Sequence, residues 1–260
     1  MFNPGLSKLR EIRFPASPAS GVQKNHELSA LWWLLLPIGF FILRYAVGVF
    51  THKKKGLESW FAGELGLIEN LTVVLLVVAA LLTIYVILRF GRFLHRVPKL
   101  FLVIYCLGCI FFAGEEASWG QHWYGWETGE YFLAINDQEE TNFHNTSELL
   151  DRVPKAIVSL AIFIGGVVIP IVLRRKKLEI DCRKPFWWLF PTWICVPTAI
   201  MAISATWPSK IERYIDMEFY FDGAQEMKEI CIAYFFLLFI VSLYLRLRHF
   251  QASGTRYSPL

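Results

Sequence analysis

The sequence predicts an all-α integral membrane protein of six transmembrane helices, with both termini cytoplasmic and a polar cavity on the outer side. Of its 260 residues, 55% are hydrophobic and 16% aromatic, while only 18% are charged; an ordinary soluble domain carries roughly 25% charged residues. Six apolar stretches bounded by charge can be read directly: Ala30 to Phe50, Leu67 to Leu88, Leu100 to Ala113, Ala156 to Leu173, Phe186 to Thr206 and Ile230 to Leu245. The basic residues gather at the ends of these stretches, where membrane topology accounts for them. A formal net charge of +4 gives no footprint for nucleic acid as a partner, and the composition excludes a soluble single-domain enzyme.

Loop charge orients the chain. With the N-terminus inside, the inner segments (up to residue 29, 89–99, 174–184 and 246 onward) hold 17 Lys and Arg, and the outer segments (51–65, 114–152 and 207–229) hold 7. The excess belongs on the cytoplasmic side, although the run Lys53, Lys54, Lys55 opposes it locally. The chain thus divides into a cytoplasmic tail (1–29), a transmembrane domain (30–246) whose outer loop (114–154) carries the polar motif, and a second tail (247–260).

The first stretch has no small-residue cleavage pattern and reads as an uncleaved helix; it carries Arg44 six residues from its outer end. The second carries Glu69 at its outer end. The third has only fourteen uninterrupted apolar residues, about 21 Å at 1.5 Å per residue, against roughly 30 Å of hydrocarbon. It must therefore continue through Gly114, Glu115, Glu116 and Ala117, which brings two carboxyl groups into the outer bilayer. Such groups face a bundle interior or a wet cavity and find partners there. The fourth is preceded by Asn145-Thr146-Ser147-Glu148, a capping-box pattern that starts a helix before the bilayer is reached near Lys155. Pro170, Pro191 and Pro197 mark kinks or ends in the fourth and fifth. The sixth is short and preceded by Glu226 and Glu229. Of the five cysteines, Cys106 and Cys109 form a C-x-x-C inside the third stretch, where the spacing means two small residues on one packing face.

The densest polar pattern lies between the third and fourth stretches: G-E-E-A-S-W-G-Q-H-W-Y-G-W-E-T-G-E-Y-F from Gly114, then N-D-Q-E-E-T-N-F-H-N from Asn136. On a helix, Glu115, Ser118, Trp119 and His122 share one face, so Ser118 and His122 can touch. Asn136, Gln138, Glu140, Asn142 and His144 alternate with period two, which on an extended chain places five hydrogen-bonding side chains on one side. Carboxylates, imidazole and amide oxygens of this kind suit a divalent metal ion, and Glu115 with Glu116 can share a proton and act as acid or base beside His144. Trp119, Trp123, Tyr124, Trp126 and Tyr131 read as an interfacial aromatic belt.

The string G-E-E-x-S-W-G-Q, with G-W-E-T and N-x-Q-x-E-x-N-x-H-N, resembles a family of bacterial polytopic membrane proteins to which no activity is attached. The likeness spans Gly114 to Asn145, and reaches the I-E-N-L-T start of the second stretch and the acidic start of the sixth. It implies that Glu115, Glu116, Ser118, Gln121, Asn136, Gln138, Glu140, Asn142, His144 and Asn145 belong to its shared pattern. Ser118-x-x-x-His122 is also similar to the Ser and His spacing of the ceramidase and adiponectin-receptor type of membrane zinc hydrolase. Those proteins add H-x-x-x-H from a late helix, whereas His249 here lies beyond the last stretch on the opposite side.

The leading expectation is a membrane-embedded enzyme acting on a lipid or lipid-linked envelope substrate. Glu115, Glu116, Ser118 and His144 are its candidate catalytic residues. Arg44, Gln121, Asn136, Gln138, Asn142 and Asn145 are candidates for holding a polar head group, and Glu116, Glu140 and His144 for one divalent metal ion. A non-catalytic subunit or assembly factor with a membrane-protein partner, or a proton- or cation-coupled transporter, are the alternatives.

Overall fold

The computed structural model describes residues 28–51, 66–136, 139–176, 188–215 and 224–252; Gln138 lies outside them. These residues form helices, short 3-10 turns and connections, with no strand among them. A π-helical turn, Leu31–Leu35, opens the first helix and runs into α1 (Leu36–Thr51). The next two helices are α2 (Leu67–Phe90) and α3 (Arg96–Glu116). Short helices α4 (Gln121–Tyr124) and α5 (Glu130–Ile135) follow. Helix α6 (Glu148–Ile162) passes through a π-helical turn, Phe163–Val168, into α7 (Ile169–Arg175). Helices α8 (Val196–Ser204), α9 (Trp207–Ile215) and α10 (Ala224–Ala252) complete the order.

Four helical runs are long and apolar enough to cross a membrane: α2, α3, the run Leu149–Arg175, and α10. The protein is a membrane protein on this ground. Their outward faces carry Leu81, Leu88, Ile104, Leu107, Ile157 and Leu160, so both the packed and the open sides are apolar, as a lipid-facing bundle requires. The other two expected spans are shorter. The first is apolar over Leu31–Arg44 and then meets a buried arginine. In the fifth, Pro191 and Pro197 deny a continuous helix, since each lacks an N–H and its ring collides with the carbonyl four residues back; the described part holds a 3-10 turn, Trp193–Cys195, and the nine-residue α8.

The same collision explains both π turns. Pro37 and Pro170 stand four residues after Trp33 and Gly166, inside Leu31–Leu35 and Phe163–Val168 respectively, and the widened turn moves the carbonyl away from the ring.

Helix α10 is the most enclosed and packs on α2 and α8, while α2 also packs on α3. The α2–α3 contact uses small residues: Ala79, Ala80 and Thr83 face Cys106 and Cys109, all buried, and the Cys106 thiol lies 3.7 Å from the Ala80 carbonyl oxygen. Both cysteines are free and serve as small packing residues, in line with the sequence expectation. Gly166 does the same for the π turn, because a Cβ there would fall 2.5 Å from the Phe235 ring and 2.7 Å from Ala199 Cβ.

Candidate functional site

Helix α3 ends at Glu116, as the short apolar run requires, but it does not continue past Ala117. Ser118 and Trp119 adopt left-handed backbone conformations (φ 42° and 55°) and Gly120 follows at φ 106°. Two non-glycine residues there are strained, and the reversal breaks the helical face on which Ser118 and His122 were expected to touch. They meet through a third residue. Glu140 accepts a hydrogen bond from Ser118 Oγ at 2.8 Å through Oε2, and its Oε1 lies 2.9 Å from His122 Nε2.

Glu140 is the hub of the segment over 117–147, which caps this end of the bundle. Asn142 Nδ2 and Asn145 Nδ2 also donate to Oε2, at 2.5 and 3.4 Å. Asn136 Nδ2 donates to the Glu140 and Asn142 carbonyls and to Asn142 Oδ1. Of the period-two residues, Asn136, Glu140 and Asn142 come together here, on a turn and not an extended strand, because Glu139 is left-handed (φ 57°), while His144 turns to Glu115. Burial alone would raise the Glu140 carboxyl; the hydrogen bonds from His122, Ser118 and Asn142 override it and hold the group below the usual carboxylate range.

Glu115 is a second hub. Its Oε1 accepts from Trp119 Nε1 at 2.7 Å, and its Oε2 accepts from the backbone N–H groups of Phe143 and His144 at 2.8 and 2.9 Å. These two N–H groups open the 3-10 turn His144–Thr146 and have no partner within it. The His144 ring adds an Nδ1 contact to the same oxygen at 3.3 Å. Gln121 pins the cap from within: its Nε2 donates to Thr128 Oγ1 and its Oε1 accepts from the Thr141 N–H, both at 2.7 Å. The cap is tied to α2 as well, through Trp123 Nε1 to Asn70 Oδ1 at 2.9 Å and through His122 Nδ1, 3.7 Å from Glu69. The helix expected to start at Asn145 is capped two residues later, where Ser147 Oγ accepts from the Leu150 N–H.

Glu116 stands apart from both hubs. Its carboxylate is within the electrostatic reach of Glu229, Lys155, Glu69 and Glu226, and no hydrogen bond joins it to the described residues. Lys155 binds Asp151 Oδ1 at 2.7 Å and Glu229 Oε1 at 3.2 Å. Four helices, α2, α3, α6 and α10, therefore contribute to one charged cluster beneath the cap. Lys155 was missed as a member. The signal was its place four residues after Asp151 on one helix face, the spacing of an ion pair.

The expected divalent-metal set does not assemble. Among the described residues no three His, Cys, Asp or Glu side chains come together as a metal site: Glu140 turns to His122, His144 turns to Glu115, and Glu116 belongs to the Lys155 cluster. Arg44 is buried at 2% exposure on α1. No family model, curated protein or solved structure matches the chain.

Proposed function

We propose that the protein is a multi-pass enzyme of the cell membrane. In this reading six segments enter the bilayer, both termini are cytoplasmic, the cap is on the outer side, and the substrate is a lipid or a lipid-linked envelope precursor. Glu116 acts as acid or base on the polar end of the substrate. One observation carries this: of the carboxylates in the polar motif, Glu115 and Glu140 are saturated by hydrogen bonds from the chain, whereas Glu116 is influenced by the charges of Glu229, Lys155, Glu69 and Glu226 and by no hydrogen bond among the described residues. Buried carboxyl groups held against like charge are poised to exchange a proton, and polar groups at bilayer depth mark function more often than packing. Ser118, Gln121, Asn136, Asn142 and Asn145 are then positioning residues, since they build the cap over the cluster, and His144 fixes Glu115.

The test is complementation in cells lacking the native copy, read by mass spectrometry of total lipid. Wild type restores the lipid profile, and Glu116→Gln, accumulated to the same level, does not. Full restoration by Glu116→Gln contradicts the proposal.

A second reading, docking to a membrane-protein partner, is favoured by the aromatic surface of the cap. Tyr124 and Tyr131 are 81% and 70% exposed, beyond what a belt of half-immersed rings needs. It predicts that Tyr124→Ser with Tyr131→Ser lowers the amount of a complex without touching the lipid profile.

A further inference from the structure

A cavity of about 380 Å³ runs between the first helix, α2, α8 and α10, a volume within the range of small-ligand sites. Its wall is almost wholly apolar, with Phe40, Leu71, Leu75, Ile230 and Leu238 among the lining side chains. Along α10 it extends from Ile230 to Val241, about 17 Å at 1.5 Å per residue, so it is long and narrow. Its upper end adjoins the charged cluster: Leu71 lies two residues after Glu69, and Ile230 directly follows Glu229. Phe40 lies one helical turn before the buried Arg44.

Tyr234 and Thr198 join this wall through their carbon atoms. The Tyr234 hydroxyl is engaged, donating to the Trp32 carbonyl at 2.6 Å, and Thr198 is fully buried behind the wall.

We infer that this cavity holds one hydrocarbon chain of a membrane lipid, with the polar head lying at the Glu116, Glu229 and Lys155 cluster. The inference rests on the enzyme reading for the role of the head group and names the substrate class as a lipid whose chain enters sideways from the bilayer. Soluble precursors have no use for such a cavity, and a chain of apolar carbons matches its length, its lining and its place beside the bilayer.

The experiment is photolabelling of the full chain in phosphatidylethanolamine and phosphatidylglycerol vesicles with a fatty-acyl lipid carrying a diazirine on its chain, followed by peptide mass spectrometry. Adducts are expected on Leu71, Leu75 and the Ile230 to Leu238 face of α10. Labels confined to outward residues such as Leu81, Leu107 and Ile157 overturn the inference. Native mass spectrometry of detergent-purified protein adds a stoichiometry: one lipid per chain in wild type and none in Leu75→Trp, which fills the cavity. Equal lipid retention in Leu75→Trp, with unchanged melting, also overturns it. The two proposals separate cleanly. A cavity without lipid together with a Glu116→Gln variant that fails complementation removes the chain site and leaves the enzyme; a lipid-filled cavity with a Glu116→Gln variant that complements does the reverse.

Discussion

At the scale of single residues, one polar motif contains two kinds of carboxylate. Glu115 and Glu140 are anchors: each replaces lost hydration with several donors, which is the condition under which a charge can be buried. Truncating Glu140 to alanine removes the shared acceptor of Ser118, His122 and Asn142, at about 1–3 kcal/mol for a buried group left unpaired, and is expected to lower the melting temperature in detergent. Acid should act on the same group. Because the folded-state pKa of Glu140 is depressed, its contribution is fully present above the ordinary carboxylate pKa and is lost as pH falls through the lower folded value. Hydrogen exchange of the 139–146 amides should therefore accelerate on acidification below the ordinary carboxylate range, and the acceleration should shrink in Glu140→Gln. An exchange rate at 139–146 that is independent of pH after correction for intrinsic chemistry contradicts this role. The residue types were legible in the sequence, but the extended chain it suggested over 136–144 gives way to a turn at Glu139. Their division of labour was not legible, because it depends on the reversal at Ser118 and Trp119, two residues whose left-handed backbone no propensity announces.

At the scale of elements, the apolar runs and their ends were readable because hydrocarbon thickness sets a minimum length and charge sets the boundary. Helix α3 illustrates it: fourteen apolar residues were too few, and the helix indeed extends from Arg96 to Glu116. Prolines were legible as interruptions but not as particular geometries. Pro37 and Pro170 leave long helices with a π turn, whereas Pro191 and Pro197, six residues apart, leave only a short helix. At Phe163–Val168 the turn is packed, and Gly166 is the reason its partners come so close. Gly166→Ala should drive the new methyl into Phe235 and Ala199, an overpacking that is destabilising by about 1–3 kcal/mol, seen as a lower melting temperature. Gly165→Ala is the control, since its nearest neighbour stands 3.7 Å away and space exists for the methyl. Equal melting temperatures for the two variants contradict the assigned contact.

At the scale of the whole molecule, charge is separated along the bundle. The capped end gathers Glu69, Glu116, Glu226 and Glu229 around Lys155, while the other end carries Arg89, Arg174, Arg175 and Arg246, with Arg174 stacked 4.2 Å over the Trp193 ring and Arg246 donating to the Phe190 carbonyl. The sequence supplied that polarity through its loop charges. It did not supply the cavity beneath the acidic end, which is made by residues from four separate segments whose side chains are individually ordinary bundle residues. The central claim is that Glu116 is held for chemistry while Glu115 and Glu140 are held for structure, and natural sites of the first kind carry a stability penalty that neutral substitution relieves. The most direct measurement is the thermal unfolding of Glu115→Gln, Glu116→Gln and Glu140→Gln side by side with wild type in one detergent at neutral pH. The account predicts that Glu116→Gln melts at or above the wild-type temperature, while Glu115→Gln and Glu140→Gln melt several degrees lower, at roughly 2–4 °C per kcal/mol for a chain of this size. A Glu116→Gln variant that is destabilised together with the other two contradicts it.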